Sequence, residues 1–398
     1  MIQRMRELFA VSTAVLSVTG CMSQSSGSAA PAATSTVATG VARQDQILRG
    51  RAIVVSTACG DCHGGAGGNA AAKGWLAGVM SPEQEFTIGP FKTRPKNLTP
   101  DPETGTGKYT DRQLFNALRY GLRPSETPDV EITSTTPGQG NHPAAPKYLA
   151  PPMPWIAWRH MPDQDLWAII AYLKHGVKPV VNKVADSDRP PDGWASEMTP
   201  AKIGPYPAAP HPTANEVVPA TDLQKVLRGR ELVIRKDCGG CHGGGPNPLA
   251  KNYLAGMTGP DGENQIGPFK TRVRNITPDN TTGIGRFTER QIFNALRYGL
   301  RPGETPDVEI TSTIPGQGNF PANPKYLAPP MPWPTWRHMP DADLWAIAAY
   351  LKNGLKPVSN KVQDSEGPPD FWRSEYTVEK IGPYPAPAFP TANEKGGN

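Results

Sequence analysis

Leu166, Ile169, Ile170 and Leu173 fall at the i, i+3, i+4, i+7 spacing of one helical face. Pro162 opens this stretch and Gly176 closes it, so the pattern predicts a helix between them. The same run recurs from Pro340 to Gly354. Thr110-Asp111-Arg112-Gln113 and Thr288-Glu289-Arg290-Gln291 have the form of a capping box, and each predicts the start of a further helix. A third helix is predicted from about Gln44 to the cysteine at 59. No segment alternates apolar and polar residues convincingly, so the expected fold class is all-α. From Gly64 to Tyr109 there is no period at all. A structureless stretch of that length argues against a compact domain unless something besides the chain fills the centre.

One apolar run stands apart. Arg4 and Arg6 precede Leu8 to Val18, and the run ends in Val18-Thr19-Gly20-Cys21. A cationic start, a short apolar run and small residues describe a secretory signal. The run is too short to span a bilayer comfortably. Its ending resembles a bacterial lipobox, which implies acylation at Cys21. Residues 22–42 are rich in Ser, Ala, Thr, Gly and Pro and read as a flexible tether. The expectation is an exported protein, held by lipid on the periplasmic side of a bacterial membrane.

The rest of the chain is a duplication. Leu48-Arg49-Gly50-Arg51 recurs as Leu227 to Arg230, Ile88 to Arg94 as Ile266 to Arg272, Asn116 to Gly121 as Asn294 to Gly299, and Ile203 to Pro207 as Ile381 to Pro385. The duplication filters candidate ligands. Of seven histidines, only His63/His242 and His160/His338 occur in both copies. His142 faces Phe320, His175 faces Asn353 and His211 faces Phe389.

Each copy carries Cys-x-x-Cys-His: Cys59, Cys62 and His63, then Cys238, Cys241 and His242. This is the attachment signature of c-type haem, in which two thiols add to the porphyrin vinyl groups and the His ligates iron. The bland alternatives are a zinc knuckle or a redox dithiol. Paired zinc knuckles sit roughly 15–20 residues apart, whereas here a whole repeat separates the pairs. The five cysteines are fully allocated, four to the motifs and one to Cys21. Two covalently attached haems c are therefore expected, and a haem explains the unpatterned stretch.

The iron needs a sixth ligand, and Met153/Met331, Met161/Met339 and His160/His338 recur in both copies. We favour Met153 and Met331. Prolines 151, 152 and 154 exclude a helix around Met153 and fix a loop that can project a thioether at low ordering cost. Trp155 and Trp333 are then placed to cover a haem edge. Met161 opens a packed helix and reads more simply as core.

Together these residues resemble class I cytochrome c: a helix into Cys-x-x-Cys-His, a Met-Pro loop, and a last helix containing Ala171-Tyr172-Leu173 or Ala349-Tyr350-Leu351. In that family the ligand Met stands about where Met153 stands relative to Tyr172. The stretch Asn97-Leu98-Thr99-Pro100-Asp101 with Gly105-Thr106-Gly107, and its copy at 275–285, is similar to the haem subunits of membrane-bound alcohol and sugar-acid dehydrogenases. The duplication and the resemblance together imply tandem cytochrome domains over 43–217 and 218–398, following the signal read over 1–21 and the tether over 22–42. The Pro-rich segments 122–152 and 177–217, and their copies, exceed a minimal cytochrome c.

Composition narrows the function. Only 37% of the chain is apolar, with 41 Gly and 46 Pro, which suits a loop-rich fold built around a cofactor. A net charge of +5 without a long basic run gives nucleic-acid binding no support. A His/Met iron is coordinatively full and suits electron transfer. The expected role is a non-enzymatic electron carrier whose partners are a dehydrogenase, a respiratory complex or a terminal oxidase. A dihaem peroxidase is the alternative. It needs an open iron in one domain, yet both copies carry the same Pro-Pro-Met-Pro loop.

Overall fold

A computed structural model describes residues 40–396 apart from 66–67, 80–84, 89–90, 188–190, 330 and 367–370. The expected leader, Cys21 and most of the tether lie outside the described residues.

In the first repeat, α1 (Gly40–Ser56) leads to a single turn, α2 (Cys59–His63). A hairpin follows, β1 (Phe86–Ile88) with β2 (Phe91–Thr93), then α3 (Asp111–Tyr120), the turn α4 (Trp155–Trp158) and α5 (Asp163–Ala171). A π-turn carries α5 on through Tyr172–Gly176, and α6 (Pro200–Ile203) lies in the tail. The second repeat supplies α7 (Leu223–Arg235), α8 (Cys238–His242), β3 (Glu263–Ile266), β4 (Phe269–Arg272), α9 (Glu289–Tyr298), α10 (Trp333–Trp336), α11 (Asp341–Asn353) and α12 (Val378–Ile381). The result is mostly helical with long loops.

Each core centres on the crossing of the first and last long helices. Gly50 makes that crossing close: a Cβ there would lie 1.8 Å from the Ala168 carbonyl oxygen of α5. Gly229 stands in the same relation to Ala346 of α11, at 1.9 Å. Val54, Leu166, Ile170 and Tyr172 fill the first crossing, and Leu232, Leu344, Ile347 and Tyr350 the second. The capping boxes form as predicted. Thr110 accepts from the Gln113 backbone N–H, and the Gln113 side chain accepts from the Thr110 N–H.

Two expectations need correction. The first helix does not run into the motif: Ala58, and Asp237 in the copy, adopt left-handed φ of 61° and 54° and break the chain before the cysteine turn. The fold is also not purely helical. β3 and β4 pair across Gly267-Pro268, with Gly267 at φ 55°, the backbone that favours glycine at the first position of a two-residue hairpin turn. Strands of three or four residues are too short to show alternation.

The Pro-rich additions form a second layer. Leu122, Ile132, Tyr148, Trp155, Trp194, Met198 and Ile203 make an outer cluster in the first repeat. Trp155 is buried there, its ring stacked on Tyr148 at 5.6 Å and closing over Gly121.

The tails are exchanged. Thr213–Val217, at the end of the first repeat, pairs with the second: Val217 donates to the Gly354 carbonyl at 3.0 Å, and Lys356 donates to that of Asn215 at 2.9 Å. Residues 391–395 do the reverse. Lys178 donates to the Asn393 carbonyl at 2.9 Å, and Lys395 to that of Gly176 at 2.9 Å. Glu216 takes Arg230 Nε at 2.6 Å and Tyr350 Oη at 2.6 Å. Glu394 takes Arg51 Nε and Tyr172 Oη at the same distance. Each tail thus lays a buried carboxylate against the helix pair of the other repeat, and 39–398 form one compact unit.

Candidate haem sites

The left-handed residues at 58 and 237 redirect the chain so that both cysteines of each motif sit on one helical turn. Cys59 and Cys238 are buried, Cys62 and Cys241 exposed, and none of the four is in a disulfide. Burial pushes the Cys59 and Cys238 thiols up to about 12. Lys236 pulls against burial at both, as the foremost opposing charge at Cys59 and a smaller one at Cys238, where Asp237 adds to the burial effect.

The histidine that closes each turn is held by one contact. His63 Nδ1 lies 2.6 Å from the Lys96 carbonyl oxygen, and His242 Nδ1 lies 2.6 Å from that of Arg274. A carbonyl only accepts, so the proton sits on Nδ1 and the Nε2 lone pair is free to bind a metal. Burial lowers the pKa of both rings, which keeps them neutral.

The motif at 97–107 explains how that carbonyl is fixed. Asn97 Oδ1 accepts from the Thr99 N–H at 2.9 Å and hydroxyl at 2.8 Å. Asn97 Nδ2 donates to the Val180 carbonyl at 2.8 Å, and the Val180 N–H returns to Thr99 Oγ1 at 3.0 Å. Asp101 Oδ1 accepts from the Thr104 hydroxyl and from the Thr104 N–H, each at 2.7 Å, and these bonds hold its carboxyl below the usual range. The chain after α5 is thereby buckled to the loop that presents Lys96. The copy repeats the buckle through Asn275, Thr277 and Val358. Sequence reading met this motif as a resemblance and missed its role. Its repeated Asn-x-Thr-Pro pattern was the available signal.

Met153 and Met331 are half-buried against their cores, in the turn before α4 and α10. Met161 and Met339 are core residues, only 3% and 4% exposed. His160 is drawn into a different place. It lines a cavity of about 500 Å³ with Arg119, Arg159 and Arg230. Burial, and then those three arginines, hold its pKa down to about 3.

These residues fit a covalently bound porphyrin. Each site offers two thiols on one turn, an imidazole with its outer nitrogen fixed and its inner nitrogen free, and a thioether at the core edge. Among the described residues no group of three or more His, Cys, Asp or Glu is placed to hold a metal ion by itself. Bound haem supplies one-electron redox chemistry. The chain supplies a neutral, oriented imidazole and walls that exclude water.

Residues 47–176 match the cytochrome c family model. The chain therefore carries a cytochrome c domain, and such a domain implies covalently bound haem c. Similarity extends through most of the chain. The cytochrome c subunit of a quinone-dependent alcohol dehydrogenase from Gluconacetobacter polyoxogenes is 31% identical over 266 residues, 66% of this chain and 47% of that protein. The cytochrome c subunit of gluconate 2-dehydrogenase from Pantoea cypripedii is 30% identical over 70% of this chain and 55% of its own length. The cytochrome subunit of fructose dehydrogenase from Gluconobacter japonicus is 27% identical over 78% and 53%. The chain spans about half the length of the curated relatives it matches.

Proposed function

We propose that the protein is a dihaem electron carrier whose domains, over 43–217 and 218–398, each bind one haem c. Cys59, Cys62, His63 and Met153 hold the first haem; Cys238, Cys241, His242 and Met331 hold the second. The observation that carries this reading is the duplicated imidazole geometry, Nδ1 on a buckled carbonyl and Nε2 free. The core position of Met161 and the arginine surroundings of His160 favour Met153 as sixth ligand, and the same holds for Met331 over Met339. With both irons closed by Met, the protein takes and gives single electrons. The similarity to dehydrogenase cytochrome subunits supports a donor that oxidises alcohols, sugars or sugar acids, and a downstream respiratory acceptor. The signal and Cys21 support export and a lipid anchor on the periplasmic side. No helix among the described residues is long and apolar enough to cross a membrane.

Mass spectrometry of the purified protein tests the count, with two haems per chain expected. Met153→Ala and Met331→Ala should each remove half of the sulfur-to-ferric-iron absorption band. A high-spin resting haem or rapid turnover of hydrogen peroxide would favour the peroxidase reading. Cys21→Ser should release the protein from membranes, and continued membrane attachment would count against the anchor.

A further inference from the structure

The repeats copy each other closely, yet four of the seven residues from 56 to 62 differ from their counterparts at 235–241: Ser56/Arg235, Thr57/Lys236, Ala58/Asp237 and Asp61/Gly240. Every one of these differences adds or removes a charge, and all stand beside the cysteine turns.

The structure distributes those charges unequally. Lys236 reaches out of its own repeat. Its Nζ donates to the Ser56 carbonyl at 2.5 Å and to the Thr57 hydroxyl at 3.1 Å, at the end of α1 and one residue short of Cys59's turn. Asp237 stays at home. It is the left-handed residue immediately before Cys238, its carboxyl folds over Gly240, and its buried Oδ1 has no hydrogen-bond partner. The other two charges weigh less. Arg235 is neutralised by Asp165 at 3.0 Å and Glu231 at 2.9 Å. Asp61 is exposed, where solvent screens it, and accepts from Thr335 Oγ1 at 3.0 Å.

We infer, resting on the two-haem reading, that Lys236 and Asp237 set the two haems at different potentials, with the first-repeat haem higher. Ferric haem carries one more positive charge than ferrous. Lys236 stands between the two turns, but its Nζ is anchored on Ser56 and Thr57 and acts more on Cys59 than on Cys238, so as a cation it disfavours the oxidised form mainly at the first site, while the Asp237 carboxylate favours it at the second. Both groups push the separation in the same sense, so either charge alone gives it the same sign. One electron then passes from the second site to the first. The iron at the second site is oxidised, the iron at the first is reduced, and no proton moves. The first cysteine turn meets the second repeat through Asp61 and Thr335, and Lys236, just before the second turn, bridges the repeats. The carrier thus has a direction: it accepts at the second repeat and donates from the first.

Equilibrium redox titration of the full holoprotein tests this, with Lys236→Thr and Asp237→Ala restoring the residue types of the opposite repeat. Lys236→Gln and Asp237→Asn keep size and guard against misfolding. Two waves are expected. The Lys236 variants should lower the upper wave, the Asp237 variants should raise the lower one, and the double variant should narrow the gap most. Met153→Ala should disturb the upper wave. An unchanged gap in variants with native haem content, or a Met153→Ala effect on the lower wave, would overturn the inference and leave the two-haem reading intact. A preparation with a single haem would overturn both.

Discussion

At the residue scale, the site rests on one carbonyl per repeat. Lys96 O accepts from His63 Nδ1 at 2.6 Å because Asn97 and Thr99 tie its loop to Val180. A hydrogen bond to the outer nitrogen makes the inner one a stronger donor, which favours ferric iron. Asn97→Ala should therefore weaken His63's donation. We expect the potential of one haem to rise, read by redox titration, and stability to fall by about 1–3 kcal/mol for the buried groups left unpaired, read by denaturant unfolding. An unchanged potential would detach the buckle from the iron. The cysteines and histidines were legible in the sequence because their spacing is itself the chemistry. The carbonyl was not, since a backbone oxygen has no residue type to betray it.

At the element scale, helices announced by caps and periodicity appear where expected, because those signals act within one turn of the chain. The hairpins and the break at Ala58 went unseen. A three-residue strand has no period, and nothing in an alanine codes for φ 61°. The tight crossing of α1 and α5 depends on Gly50, whose missing side chain admits the Ala168 carbonyl. Gly50→Ala should force the helices apart and cost at least the 1–3 kcal/mol typical of overpacking. Unfolding monitored at the haem absorbance would measure it, and a neutral effect would show that the crossing relaxes freely.

At the scale of the whole molecule, the exchanged tails make each repeat depend on the other. Glu394 is fully buried between Arg51 and Tyr172 of the first repeat. Removing one partner of such a pair strands the other charge, at a cost of about 3–5 kcal/mol. Glu394→Ala should therefore destabilise the first repeat, which lies far from it in sequence, and proteolysis should cut that repeat first. The mirror contact titrates. Burial pushes the Glu216 carboxyl up, but Arg230, Tyr350 and the Thr213 N–H outweigh it and hold the pKa below its ordinary value. A depressed carboxylate stabilises the fold above its unfolded pKa, about 4.3, and loses that contribution as pH falls through the folded value. The second repeat should thus loosen in acid, and Glu216→Gln should flatten the dependence in a pH series of melting curves. The shared Thr-Ala-Asn-Glu of 213–216 and 391–394 was visible in the sequence. Which repeat each copy serves was not, because both lie in similar Pro-rich tails and only tertiary packing separates them.

In the proposed carrier, two closed, low-spin haems exchange electrons across this interface. Optical redox titration of the purified holoprotein tests it most directly. Two one-electron waves per chain are expected, with low-spin spectra in both oxidation states and a sulfur-to-iron band that appears as each haem oxidises. A single wave from a single haem, or a high-spin iron without that band, would contradict it.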